Sequence, residues 1–117
     1  MNKVIFVGRI CSDITTSYSS GKEPVARSLF GLAIPDMSMS RDKEGNYPTD
    51  FFQCVCFGKI SENVEKYCEK GNKLLIEGRV KNNNYQKDGT TIYSTEIIVD
   101  SLEFLETKKS TTDKKKK

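Results

Sequence analysis

The sequence predicts an all-β protein: a small closed barrel of five strands with one short helix between the third and the fourth. Three observations carry this. Strand-length runs rich in β-branched and aromatic residues recur from the N-terminus to about residue 105. Glycines sit inside three of these runs, at Gly8, Gly31 and Gly78, where a side chain would obstruct sharp coiling. Only one stretch, 59–70, repeats its apolar residues with a helical period.

The first strand covers 3–11, bent or bulged at Gly8. Ser19, Ser20 and Gly21 supply a turn, and the second strand follows over 25–34 until Pro35 ends it. Residues 36–49 are polar, with Arg41, Asp42, Lys43, Glu44, Gly45, Asn46 and Pro48, and read as a long flexible hairpin loop. The third strand covers 50–57. In 59–70, Ile60, Val64, Tyr67 and Cys68 fall on one helical face, with Ser61 as the expected N-cap and Gly71 as the stop. The fourth strand covers 73–81. Asp88-Gly89 marks a hairpin turn within 82–91, and the fifth strand covers 92–105. Three strands, a helix and two strands is the order of a five-stranded oligonucleotide-binding barrel, the OB-fold.

The 117 residues leave room for one domain, expected over 1–106, and a short tail over 107–117. The tail has no apolar residue and is expected to be disordered. Nineteen Lys and Arg against sixteen Asp and Glu give a net charge of +3. The excess is all in the tail: residues 1–106 hold thirteen basic and fifteen acidic side chains, and 107–117 hold six lysines and one aspartate. A polyanion held by the body must therefore meet locally arranged charge. No run approaches the roughly 20 apolar residues of a membrane span, and no secretory leader is expected, so the protein is placed in the cytoplasm. The four cysteines then read as reduced thiols. There is no histidine, which removes the commonest general acid or base, and the carboxylates have no common focus, so neither catalysis nor a cofactor is expected. Cys54 and Cys56, two apart on one strand face, do not make the claw of a zinc site, and no metal is expected.

The third strand is the most informative. Alternation puts Phe52, Cys54 and Cys56 on one face, and Phe51, Gln53, Val55 and Phe57 on the other. A barrel strand needs one apolar face for its core, so the second aromatic face is either covered by packing or open as a stacking surface for bases. Tyr85 lies in the polar hairpin between Lys81 and Lys87, where charge suits phosphates and a ring suits a base. Arg41 and Lys43 in the first hairpin are a weaker pair, because Asp42 and Glu44 adjoin them.

The blocks 2–9 (Asn-Lys-Val-Ile-Phe-Val-Gly-Arg), 51–59 ending Cys-Phe-Gly-Lys, 70–80 and 93–99 together resemble bacterial-type single-stranded DNA-binding proteins, over residues 1 to 105. The resemblance implies non-catalytic, sequence-tolerant binding and protection of single-stranded DNA in replication, recombination or repair. It implies base stacking on Phe51, Phe57 and Tyr85, and backbone contacts from Lys59 and Lys70; Lys3, Arg79 and Lys81 are added to these as phosphate contacts, with Lys87, Arg41 and Lys43 from the composition of the two hairpins. Family members often carry Trp where Phe51 and Tyr85 stand. Their aromatic before an Arg-Asp pair falls at Ser40 here, which leaves Arg41 and Lys43 as electrostatic contacts. Phe52 replaces a His that helps subunits associate, and a homotetramer is still implied. The chain ends in lysines and not in the family's acidic tip, so recruitment of replication proteins through such a tip is not expected, and a phage or plasmid variant or a shortened chain is. The alternative is a primosome-type barrel that bridges single-stranded DNA and a helicase.

Overall fold

Strict alternation along β3 (Ala26–Pro35) sets the wall of the barrel: Ala26, Ser28, Phe30 and Leu32 are buried, and Arg27, Leu29, Gly31 and Ala33 between them are only partly covered. The computed structural model describes residues 1–107. The other strands are β1 (Val4–Ile10), β2 (Thr15–Tyr18), β4 (Thr49–Phe57), β5 (Lys73–Asn82), β6 (Tyr85–Lys87), β7 (Thr90–Ile92) and β8 (Thr95–Phe104), and the helix is α1 (Gly58–Tyr67). The sheet runs β1-β5-β8-β4-β3-β2, and β1 also pairs with β3, which closes a five-stranded barrel. All its pairings are antiparallel except β4 with β8, where Cys54 meets Ile97 and Val55 meets Ile98.

Closure requires the walls to approach closely, and two glycines allow it. A Cβ at Gly78 would run into the Ile98 carbonyl oxygen, and one at Gly8 would lie 2.5 Å from the Ala33 carbonyl oxygen. At Gly78 the register with β8 also shifts: Glu77 faces Ser101 and Gly78 faces Val99, which leaves Asp100 as the extra residue of a bulge. Ile10, Phe30, Leu32, Leu74, Ile76, Ile97 and Val99 fill the interior with Cys54 and Cys56. Phe6 stacks on Phe52 with ring centroids 4.7 Å apart.

The five expected strands correspond to β1, β3, β4, β5 and β8. Three details differ. The helix begins earlier, at Gly58, and Ser61 is not its N-cap: Ser61 is fully buried and its hydroxyl is 2.5 Å from that of Ser28, which in turn is 2.8 Å from Thr16 Oγ1. The helix ends at Cys68, whose N–H donates to the Val64 carbonyl, and Gly71 stands three residues beyond, at φ +99°. β2 is an added edge strand with so little apolar sequence, Thr-Thr-Ser-Tyr, that period-2 reasoning has nothing to register. The expected 82–91 loop contains β6 and β7, a two-stranded ribbon that places Tyr85 opposite Ile92, and the expected last strand is interrupted at Tyr93-Ser94. Residues 108–117 of the lysine-rich tail lie outside the described residues.

Candidate nucleic-acid interface

The two faces of β4 separate as alternation requires. Phe52 is half-buried and Cys54 and Cys56 are sealed in the core, whereas Phe51 is 68% exposed and Phe57 45% exposed on the outer side. Burial pushes the Cys54 thiol up to about 12 and the Cys56 thiol up to about 11, so both stay neutral and core-like. Val55 departs from the expectation for its face: it is buried, with Leu29 and Ile98 as cross-strand partners. The outer surface of the barrel therefore has an apolar floor of three strands, with a free ring toward either end of β4. Those rings are six positions apart, roughly 20 Å of strand.

Tyr85 is the third expected ring, 50% exposed on β6, on an arm that extends β5 and β8 beyond the barrel. Asn83 N–H donates to the Ser94 carbonyl at 2.9 Å and Ser94 N–H to Asn84 Oδ1 at 3.2 Å, which ties the base of that arm.

The expected cations divide by what they touch. Lys3 Nζ is 2.9 Å from Glu77 and holds that carboxyl below the ordinary carboxylate range; Arg79 Nη1 is 2.9 Å from Asp100. These two are locally neutralised. Lys43, Lys59, Lys70, Lys81 and Lys87 are exposed and take part in no ion pair among the described residues. Lys59 lies two residues after Phe57 in the first turn of α1, Lys81 and Lys87 flank Tyr85, and Lys70 sits in the turn after the helix. Arg41 lies over the Tyr47 ring, 4.6 Å from its centroid.

Sequence reasoning missed three side chains. Arg27 stands directly opposite Phe57 on the outer face, and the alternation of β3 was signal enough to place it there. Tyr93, at the end of the ribbon, is 78% exposed. Tyr47 was hidden in a polar loop that no periodicity describes. Among the described residues no group of three or more His, Cys, Asp or Glu could hold a metal ion, and no helix is long and apolar enough to cross a membrane.

The model of the "Single-strand binding protein family" matches residues 1–105. A "Single-stranded DNA-binding protein" of Oceanobacillus iheyensis is 36% identical over 111 residues, 94% of this chain and 66% of the relative. A "Single-stranded DNA-binding protein 3" of Listeria innocua is 35% identical over 111 residues, 94% of this chain and 67% of the relative. The chain thus spans about two thirds of the length of these relatives. Among solved structures, a Plasmodium falciparum SSB complex with ssDNA superposes with a TM-score of 0.76 at 25% identity, covering 91% of this chain and 96% of that one. A small single-stranded DNA-binding protein from Streptomyces coelicolor, at 19% identity and a TM-score of 0.65, covers 87% of this chain and 92% of its own and supports the fold.

Proposed function

The chain belongs to the single-strand binding protein family, and from that premise we propose that residues 1–106 act as one domain that binds and protects single-stranded DNA, without catalysis and without reading its sequence. The observation that carries this is the exposure of Phe51 and Phe57 on the outside of a wall whose intervening Cys54, Val55 and Cys56 are buried. Rings that the core does not use are available to unpaired bases, each stack contributing about 1–3 kcal/mol. Phe51, Phe57 and Tyr85 are the stacking residues. Lys59, Lys70, Lys81, Lys87, Lys43 and Arg41 contact phosphates directly, and Lys3 and Arg79 do so in exchange for Glu77 and Asp100. The matched family and relatives do not favour the primosome-type alternative.

Finer parts of the reading are a homotetramer, which multiplies contacts along one strand through effective concentration, a cytoplasmic location at replication sites, and a cationic contribution from the lysines of 107–117. Titration against oligothymidylate and duplex DNA in low salt tests the central reading: clear preference for the single strand is expected, and equal affinity for both refutes it. Affinity should fall with salt with a log-log slope of about −0.7 for each phosphate contacted. Light scattering checks assembly, with a monomeric mass counting against the tetramer. Deletion of 107–117 should lower the salt slope, and an unchanged slope removes the tail from the interface.

A further inference from the structure

The first hairpin presents a planar surface of its own. The Arg41 guanidinium carbon lies 4.6 Å from the centroid of the Tyr47 ring, a cation held over an aromatic face. The loop around the pair has its own hydrogen-bond frame. Asp42 N–H donates to the Asn46 carbonyl at 2.8 Å and Gly45 N–H to the Asp42 carbonyl at 3.0 Å, while Asp36 N–H to the Pro48 carbonyl at 2.8 Å closes the neck. Asp42 Oδ1 accepts from the N–H groups of Glu44 and Asn46, both at 2.9 Å. The adjacent carboxylate is thereby committed to the loop backbone, and Arg41 takes part in no ion pair among the described residues. Tyr47 is half-buried and Arg41 exposed, so the accessible plane is the outer face of the guanidinium. Tyr47 is four positions, at most about 14 Å of chain, from Phe51 with its exposed ring.

A loop arginine used only as a point charge needs no ring beneath it. A guanidinium backed by a ring, edge-bonded to the Gly45 carbonyl through Nη1 at 3.4 Å and in no ion pair among the described residues, offers a flat surface with a positive charge, which suits the π-face of an unpaired base. We propose that Arg41 stacked on Tyr47 is a fourth base platform, which carries the track of a single strand past Phe51 onto the first hairpin. It rests on the single-strand-binding reading above and adds a site to it, with Tyr47 as the residue that holds the guanidinium plane in place.

The test uses the full chain and oligothymidylate, followed by fluorescence anisotropy in low salt and in about 1 M salt, where the Debye length is only about 3 Å. Arg41→Lys keeps the charge and loses the plane, Tyr47→Ala removes the support, Tyr47→Phe keeps the ring, and Phe57→Ala is an independent reference. Arg41→Lys and Tyr47→Ala are each expected to weaken high-salt binding about fivefold or more, Arg41→Lys without changing the salt slope, and Tyr47→Phe to bind as the parent does. Parent-like binding by Arg41→Lys or Tyr47→Ala at high salt, while Phe57→Ala is weakened, overturns the fourth platform and leaves the main reading standing. Failure of the parent protein to prefer single strands strikes the main reading instead.

Discussion

Replacing Phe51 and Phe52 by alanine, one at a time, separates binding from folding at two adjacent positions. Phe51 is 68% exposed, so about a third of its side chain is covered. Full burial of a Phe side chain is worth about 1.5–3 kcal/mol, so Phe51→Ala should cost roughly 0.5–1 kcal/mol of folding stability. If a base stacks on the ring, the same change should cost about 1–3 kcal/mol of binding, a rise in Kd of about 5- to 150-fold. Phe52 points the other way, with its ring 4.7 Å from that of Phe6. Its removal should cost about 3 kcal/mol of stability, near the low end for Phe→Ala because part of the ring is exposed. Its effect on binding, measured where the protein is still folded, should be small. Urea unfolding gives the first quantity, and anisotropy with oligothymidylate in about 1 M salt gives the second, since ion pairing is then screened over a few ångströms. If Phe51→Ala binds as the parent does under those conditions, the ring is not a stacking site and the outer-face reasoning fails.

The hydroxyl chain Thr16–Ser28–Ser61 gives a second expectation. Ser28→Ala strands the buried Ser61 hydroxyl and should cost about 1–3 kcal/mol in urea unfolding, whereas the double change Ser28→Ala with Ser61→Ala should cost less than the two single changes together. Glu77→Gln frees Lys3 from its 2.9 Å partner. If Lys3 contacts a phosphate in exchange for Glu77, low-salt affinity should rise because that pair no longer has to be broken, and an unchanged affinity removes Lys3 from the list of contacts. Because burial pushes the Cys54 and Cys56 thiols up to about 12 and 11, both should resist thiol reagents in the native protein near neutral pH, and the part-exposed Cys11 should react first. Equal labelling of all four cysteines without unfolding would contradict the core assignment.

The barrel was legible where burial and period coincide. Alternation in 25–34 and 50–57 assigns Phe30, Leu32, Cys54 and Cys56 to the interior without any knowledge of the neighbouring strands. The mid-strand glycines marked the close approaches, because Gly78 and Gly8 leave no room for a Cβ. Features decided by long-range partners were not legible. Ser61 satisfies every local rule for a helix cap, yet Ser28, thirty-three residues away, takes its hydroxyl into the core. Val55 shares a face with Phe51 and Phe57 and is nevertheless buried, beside Leu29 and Ile98 on the neighbouring strands. Lys3 and Arg79 read as free cations until the fold brings Glu77 and Asp100 to them. Arg41 and Tyr47 are brought together by the hydrogen bonds of an irregular loop, and hydrophobic period carries no information about such a pairing.

The interior of this barrel is solid. Phe30, Leu32, Leu74 and Ile76 fill it with fully buried side chains. The exposed rings of Phe51 and Phe57 lie on the outside, so a strand stacked on them passes over the barrel as a rope lies over a bollard. On the proposed single-strand reading, a filament laid along that surface meets no end wall, so its length is not measured and it is free to continue from one copy of the protein to the next.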